Sequence, residues 1–91
     1  MMVLILESVP PSLRGELTRW LLELKAGVFV GRVSALVRER LWNKSCHHAR
    51  NGGCLLIYHT NNEQGFNILS YGNTSRTIAN FDGLLLVKIP K

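Results

Sequence analysis

Acidic residues are scarce in this chain. Six Asp and Glu stand against eleven Lys and Arg in 91 residues, giving a formal net charge of +5 and a pI near 9.8. So few carboxylates make a site of several convergent oxygen ligands hard to assemble. The two cysteines, Cys46 and Cys54, are too few for a disulfide scaffold and call for no oxidising compartment. Nothing approaches the roughly 20 consecutive apolar residues of a membrane span. The apolar run Met1 to Leu6 has no basic region before it and is far shorter than the core of a signal peptide. The expected location is therefore the cytoplasm, with no membrane partner. Internal repeats, linkers and low-complexity segments are also missing.

What is present is globular: 46% of residues are hydrophobic and 19% charged. A chain of 91 residues makes a single domain, 1–91, and a domain of that size hides only about 60 to 65% of its unfolded surface. That small margin favours an oligomer. The basic residues are spread along the chain rather than gathered in a tail, which implies a folded basic surface. Nucleic acid is the commonest partner of such a surface.

Met2 to Leu6 is continuously apolar and rich in branched residues, as in a central strand covered on both faces. Pro10 and Pro11 stop it, and Pro11 suits the first turn of a helix, where a missing N–H costs nothing. Leu13, Leu17, Trp20, Leu21 and Leu24 then recur at helical spacing, with Arg14, Glu16, Arg19 and Glu23 off the stripe. The pattern predicts one helix reaching Leu24 and closed by Gly27. Val28 to Val33 reads as a strand. Ser34 is a good N-cap for a second helix, with Val33, Val37 and Leu41 on one face, Leu36 beside them, and Asn51-Gly52-Gly53 at its end. Cys54 to Tyr58 is another apolar strand, joined through the turn residues Asn61 to Gly65 to a strand over Phe66 to Tyr71. Leu84 to Ile89 is expected to form the last strand.

The order strand, helix, strand, helix, strand, strand, strand gives a two-layer α+β arrangement with both helices on one face of the sheet. Several strands are apolar on both sides, so the other face also needs cover. A second copy packed sheet to sheet about a two-fold axis supplies it, and a homodimer is expected.

The ordered set Glu7, Val9-Pro10-Pro11, Leu13-Arg14-Gly15, Trp20-Leu21-Leu22-Glu23, Ala26-Gly27-Val28, Val30-Gly31, Val33-Ser34, Thr60-Asn61, Gly65-Phe66, Gly72, Arg76-Thr77 and Asp82-Gly83-Leu84 resembles the CRISPR-associated protein 2 family, type I-E branch. The resemblance implies a ferredoxin-like two-layer sandwich. It also implies a homodimer that bridges two dimers of the CRISPR integrase, CRISPR-associated protein 1, and holds duplex prespacer DNA for insertion as a new spacer. Many relatives are described as metal-dependent ribonucleases or deoxyribonucleases, with an acidic residue at the end of the first strand. That position here is Glu7, where the broader family carries Asp.

Glu7 is accordingly the candidate catalytic and metal-binding residue, able as a two-fold pair to hold Mg2+ or Mn2+ and activate a water. Against that stands a carboxylate that only accepts hydrogen bonds near Pro10 and Pro11. Arg14, in the first turn of the helix, is suited to phosphate, or else pairs with Glu16 or Thr18 on a solvated face. Arg76, flanked by hydroxyl and amide side chains, can reach backbone oxygens. The resemblance implies DNA-backbone contacts at Arg14 and Arg76, and at Ser12 and Ser75, where relatives can carry further arginines. Each such arginine that is missing lowers the log-log salt slope by about 0.9 per phosphate left unneutralised. Compensation would come from Arg19, Lys25, Arg32, Arg38 or Arg40; the alternative for most of these is that they only solvate their helices. Lys88, Ile89 and Lys91 fall in the short end that in the family pairs with sheet edges and engages the integrase.

Cys46-His47-His48 with Cys54 suggests zinc, but no C-x2-C or H-x3-H pair is present and Cys54 opens a buried strand. Trp20 and Trp42 read as packing residues. Three functions follow: an adaptation scaffold using Arg14 and Arg76, a divalent-metal nuclease using Glu7, and a generic ferredoxin-like nucleic-acid-binding module.

Overall fold

Met2–Leu6 (β1) lies at the centre of a five-stranded antiparallel sheet because both of its faces are apolar and each finds a partner layer or neighbour. The computed structural model describes residues 1–49 and 52–72. Their elements are β1, α1 (Pro11–Thr18), β2 (Leu22–Lys25), β3 (Val28–Gly31), α2 (Ala35–His47), β4 (Cys54–His59) and β5 (Phe66–Tyr71). The strands lie in the order β2-β3-β1-β4-β5. On one side of β1, Leu4 faces Phe29, and on the other it faces Leu56. This is the ferredoxin-like α+β architecture the sequence suggests.

Alternation along the strands divides the side chains between two faces. Met2, Leu4, Leu6, Phe29, Cys54 and Leu56 form one buried cluster with Leu13 and Leu17 of α1 and Leu41 of α2. Complete burial of a leucine contributes about 1.5–3 kcal/mol, and Leu4, Leu17 and Leu41 are each fully buried. The opposite face carries Ile5, Val28 and Leu55, with half-buried Val3, Ile57 and Ile68 packed against them. Among the described residues both helices contribute only to the first cluster.

The first helix is shorter than its hydrophobic stripe predicts. It ends at Thr18, whose Oγ1 donates to the Arg14 carbonyl at 2.9 Å, and Leu21 still donates to Leu17 at 2.8 Å beyond it. Leu22 to Lys25 then becomes an edge strand paired with β3, with Leu22 opposite Val30 and Glu23 opposite Phe29, and a register shift before Lys25. Tertiary context decides this. Leu21 completes the core, Leu22 and Leu24 stay exposed, and the tight turn at Ala26-Gly27 folds the segment onto the otherwise bare edge of β3. Gly27 has φ +82, and a Cβ there would collide with the Leu6 carbonyl oxygen.

The second helix begins as expected. Ser34 Oγ accepts the Val37 N–H at 3.2 Å, but the helix ends at His47, well before Gly52. Leu41 is buried and Val33 and Val37 pack against the core, whereas Leu36 is 68% exposed and lies outside it. The β4–β5 hairpin closes with Thr60 donating to Gly65 at 3.1 Å and Gly65 donating to Asn62 Oδ1 at 2.8 Å. The strand expected over Leu84 to Ile89 lies outside the described residues.

Candidate nucleic-acid interface

One end of the sheet gathers the exit of β1, the β2–β3 turn and the entry to β4. The Leu6 N–H donates to the Gly27 carbonyl at 2.8 Å and the Glu7 N–H to the Gly53 carbonyl at 3.1 Å, so the backbone is fixed on both sides where Glu7 leaves the strand. Gly52 sits so close that a Cβ on it would lie 3.2 Å from the Cβ atoms of both Glu7 and Ser8. Glu7 itself is exposed.

From this end Val9, Pro10 and Pro11 lead into α1. Pro10 is its N-cap, Pro11 occupies the first turn, and the Pro10 carbonyl accepts the Arg14 N–H at 2.9 Å. The N-cap residue Pro10 supplies no side-chain cap and exposed Ser12 lies in the first turn, an arrangement that favours an anionic oxygen. Arg14 is half-buried one turn in. Its Nε donates to both carboxylate oxygens of Glu23, at 3.2 and 3.3 Å, and Glu23 Oε2 also accepts the Gly27 N–H at 3.2 Å. One carboxylate therefore ties α1 to the β2–β3 turn, which the Leu6 bond ties in turn to β1. Because Nε takes the Glu23 contact, the two Nη groups of Arg14 have no acceptor among the described residues and remain available for phosphate.

The sequence offered Glu16 or Thr18 as partners for Arg14. Instead Glu16 bridges Arg19 at 3.9 Å and Lys44 of α2 at 3.6 Å, and Thr18 bonds only to backbone. Glu23 was missed because the helical stripe hid the alternation of Leu22, Glu23 and Leu24 ahead of Gly27. Arg38 lies over the Tyr58 ring at 3.9 Å. Arg32 and Arg40 are exposed. Arg76, Ser75, Lys88, Ile89 and Lys91 lie outside the described residues.

Mg2+ or Mn2+ would need several oxygen ligands. Among the described residues no three Asp, Glu, His or Cys side chains converge, so these residues offer Glu7 without the rest of a donor set. The Cys-His-His-Cys group is no better arranged. Cys54 is buried and its Sγ donates to the Ser45 carbonyl at 3.7 Å, while burial pushes the thiols of Cys46 and Cys54 up, Cys54 to about 11.

The described residues form a small ferredoxin-like α+β domain in a chain of net charge +5, with Arg14 held at the start of its first helix. Residues 1–86 match the family model described as CRISPR-associated protein (Cas_Cas2CT1978), and the chain belongs to that family. Its role is therefore a CRISPR-related one. No helix among the described residues is long and apolar enough to cross a membrane.

Proposed function

We propose that the protein is a scaffold of CRISPR adaptation: a cytoplasmic homodimer that holds duplex prespacer DNA by its phosphates and bridges dimers of the CRISPR integrase, in the manner of the type I-E branch. The single observation that carries this reading is the anchoring of Arg14. Glu23 holds the guanidinium by Nε beside an uncapped helix N-terminus, which leaves an oriented pair of Nη donors. Contacts of this kind read backbone shape and charge rather than bases. On the helix-free face, half-buried Val3, Ile57 and Ile68 and exposed Leu22 offer apolar surface to a second copy, beside Ile5, Val28 and Leu55, which one chain already buries.

The competing reading is a metal-dependent nuclease acting through Glu7. Integration of a duplex prespacer by the cognate integrase decides between them, with wild type compared against folded, dimeric Glu7→Ala and Arg14→Ala proteins. The scaffold reading expects integration to survive Glu7→Ala and to fall with Arg14→Ala. Loss with Glu7→Ala, while assembly and DNA binding persist, would move catalysis to first place.

A further inference from the structure

Between α2 and the outer strands lies a cleft of about 190 Å3 that the phosphate-binding end of the sheet does not use. Its floor is Leu56 and Leu69, paired across β4 and β5 on the helix-bearing face, and Leu69 is 37% exposed. Arg38 and Trp42, one turn apart on α2, form the wall with Tyr58. Asn67 Nδ2 donates to the Tyr58 hydroxyl at 3.3 Å and fixes the ring, and the Arg38 guanidinium lies over that ring at 3.9 Å. The Arg38 backbone N–H donates to the Ser34 carbonyl at 2.9 Å, whereas its guanidinium has no bonded acceptor among the described residues. Exposed Glu39 and Asn43 stand at the rim.

We propose that this cleft binds one unpaired nucleotide of a DNA strand, with the base between Trp42 and Leu69 and its phosphate on Arg38. The inference rests on the nucleic-acid reading above and extends it from duplex to single strand. Three features select this ligand. The volume is below the roughly 300 Å3 at which sites for drug-sized molecules begin, which suits a single flat ring system. The combination of aromatic wall and preorganised cation is the one that single-stranded nucleic acid exploits, by stacking and backbone attraction. Asn43 and Glu39 add a donor and acceptors for a base edge. A paired base cannot enter, because its edge and both faces are already engaged, so the cleft discriminates unpaired ends from blunt duplex.

The test uses the full chain carrying Trp20→Phe, so that Trp42 is the only tryptophan. The probes are a six-nucleotide oligothymidylate and a blunt duplex. Expected results are quenching of Trp42 emission by the oligothymidylate and an affinity for it that falls about tenfold in Arg38→Gln, with duplex affinity within about twofold of the parent. Arg38→Lys, which keeps charge but loses the planar stack, should recover only part of the loss. Circular dichroism confirms that the variants fold. No quenching by oligothymidylate, or equal loss for both probes in Arg38→Gln, would overturn the inference. Quenching by an apolar pentapeptide and not by oligothymidylate would overturn it too, assigning the cleft to a protein partner. Failure of the duplex alone to bind would sink the scaffold reading and leave the cleft assignment standing.

Discussion

Arg14 and Glu23, nine residues apart, meet across the boundary between α1 and β2, with Arg14 Nε 3.2 Å from one carboxylate oxygen and 3.3 Å from the other. Because Glu23 also accepts the Gly27 N–H, the pair couples the candidate DNA contact to the local fold. The coupling limits the arginine as well as orienting it, since part of its charge is already balanced by the carboxylate.

Two substitutions separate these effects. Arg14→Ala removes a side chain that is 43% exposed, so it should cost no more than about 1 kcal/mol of stability. It should weaken duplex binding and lower the log-log salt slope by about 0.9 for each phosphate the arginine neutralises. Glu23→Gln keeps an acceptor for Gly27 but drops the negative charge, and should tighten duplex binding. Anisotropy titrations at several salt concentrations give both slopes. An unchanged slope in Arg14→Ala would remove this residue from the interface.

Gly27→Ala should be far more damaging than an ordinary surface change. The position has φ +82, and the added methyl would press on the carbonyl oxygen of Leu6, the residue whose N–H donates to the Gly27 carbonyl. Left-handed backbone strain alone costs about 1–2 kcal/mol, and displacement of the Leu6–Gly27 hydrogen bond adds about 1 kcal/mol. Urea denaturation should show a loss of about 2–3 kcal/mol from these combined terms. A loss below about 0.5 kcal/mol, the range of neutral surface substitutions, would mean that the turn relaxes freely.

The regular parts of this fold were legible because their signals are local. Continuous apolar residues marked β1 and β4, Ser34 marked the start of α2, and Asn61 to Gly65 marked the hairpin. The fate of Leu22 to Lys25 was not legible, because Leu17, Trp20, Leu21 and Leu24 keep helical spacing right through it. What decides it is a long-range partner, the open edge of β3, together with the hydrogen bonds that Glu23 makes as a strand residue. For the same reason Arg14 stood out in the sequence as a candidate for phosphate while its anchor, Glu23, did not. The cleft beside Arg38 depends on residues from α2, β4 and β5, a conjunction that no sequence window contains.

Alkaline pH should loosen the junction of α2 and β4. Burial, helped by the nearby Cys46 thiol, holds the Cys54 proton to about 11, against an ordinary value of 9.0. The unfolded chain gives up this proton first, so the stabilisation is complete below about pH 9 and drains away as pH rises towards 11. Urea midpoints measured across that window should fall, and Cys54→Ala should flatten the fall. The folded thiol should also resist iodoacetamide at pH 8, where it is protonated and buried. Rapid alkylation of Cys54 there would contradict this.

The homodimer is open to a test at its proposed centre. Ile57 lies on the helix-free face, half-buried against Ile5, Val28 and Leu55, with Ile68 opposite it on β5. If a second copy covers this face, Ile57→Glu places a carboxylate in a desolvated interface, twice per dimer because a two-fold contact repeats every residue. Light scattering at micromolar concentration should then give a dimer for wild type and a monomer for Ile57→Glu. Leu22→Glu, on the same face but at the edge strand and 64% exposed, should fold normally and weaken association less. Circular dichroism and a urea midpoint distinguish dissociation from unfolding. A folded Ile57→Glu protein that remains dimeric would place the contact between copies elsewhere, and with it the geometry by which two Arg14 side chains could grip one duplex.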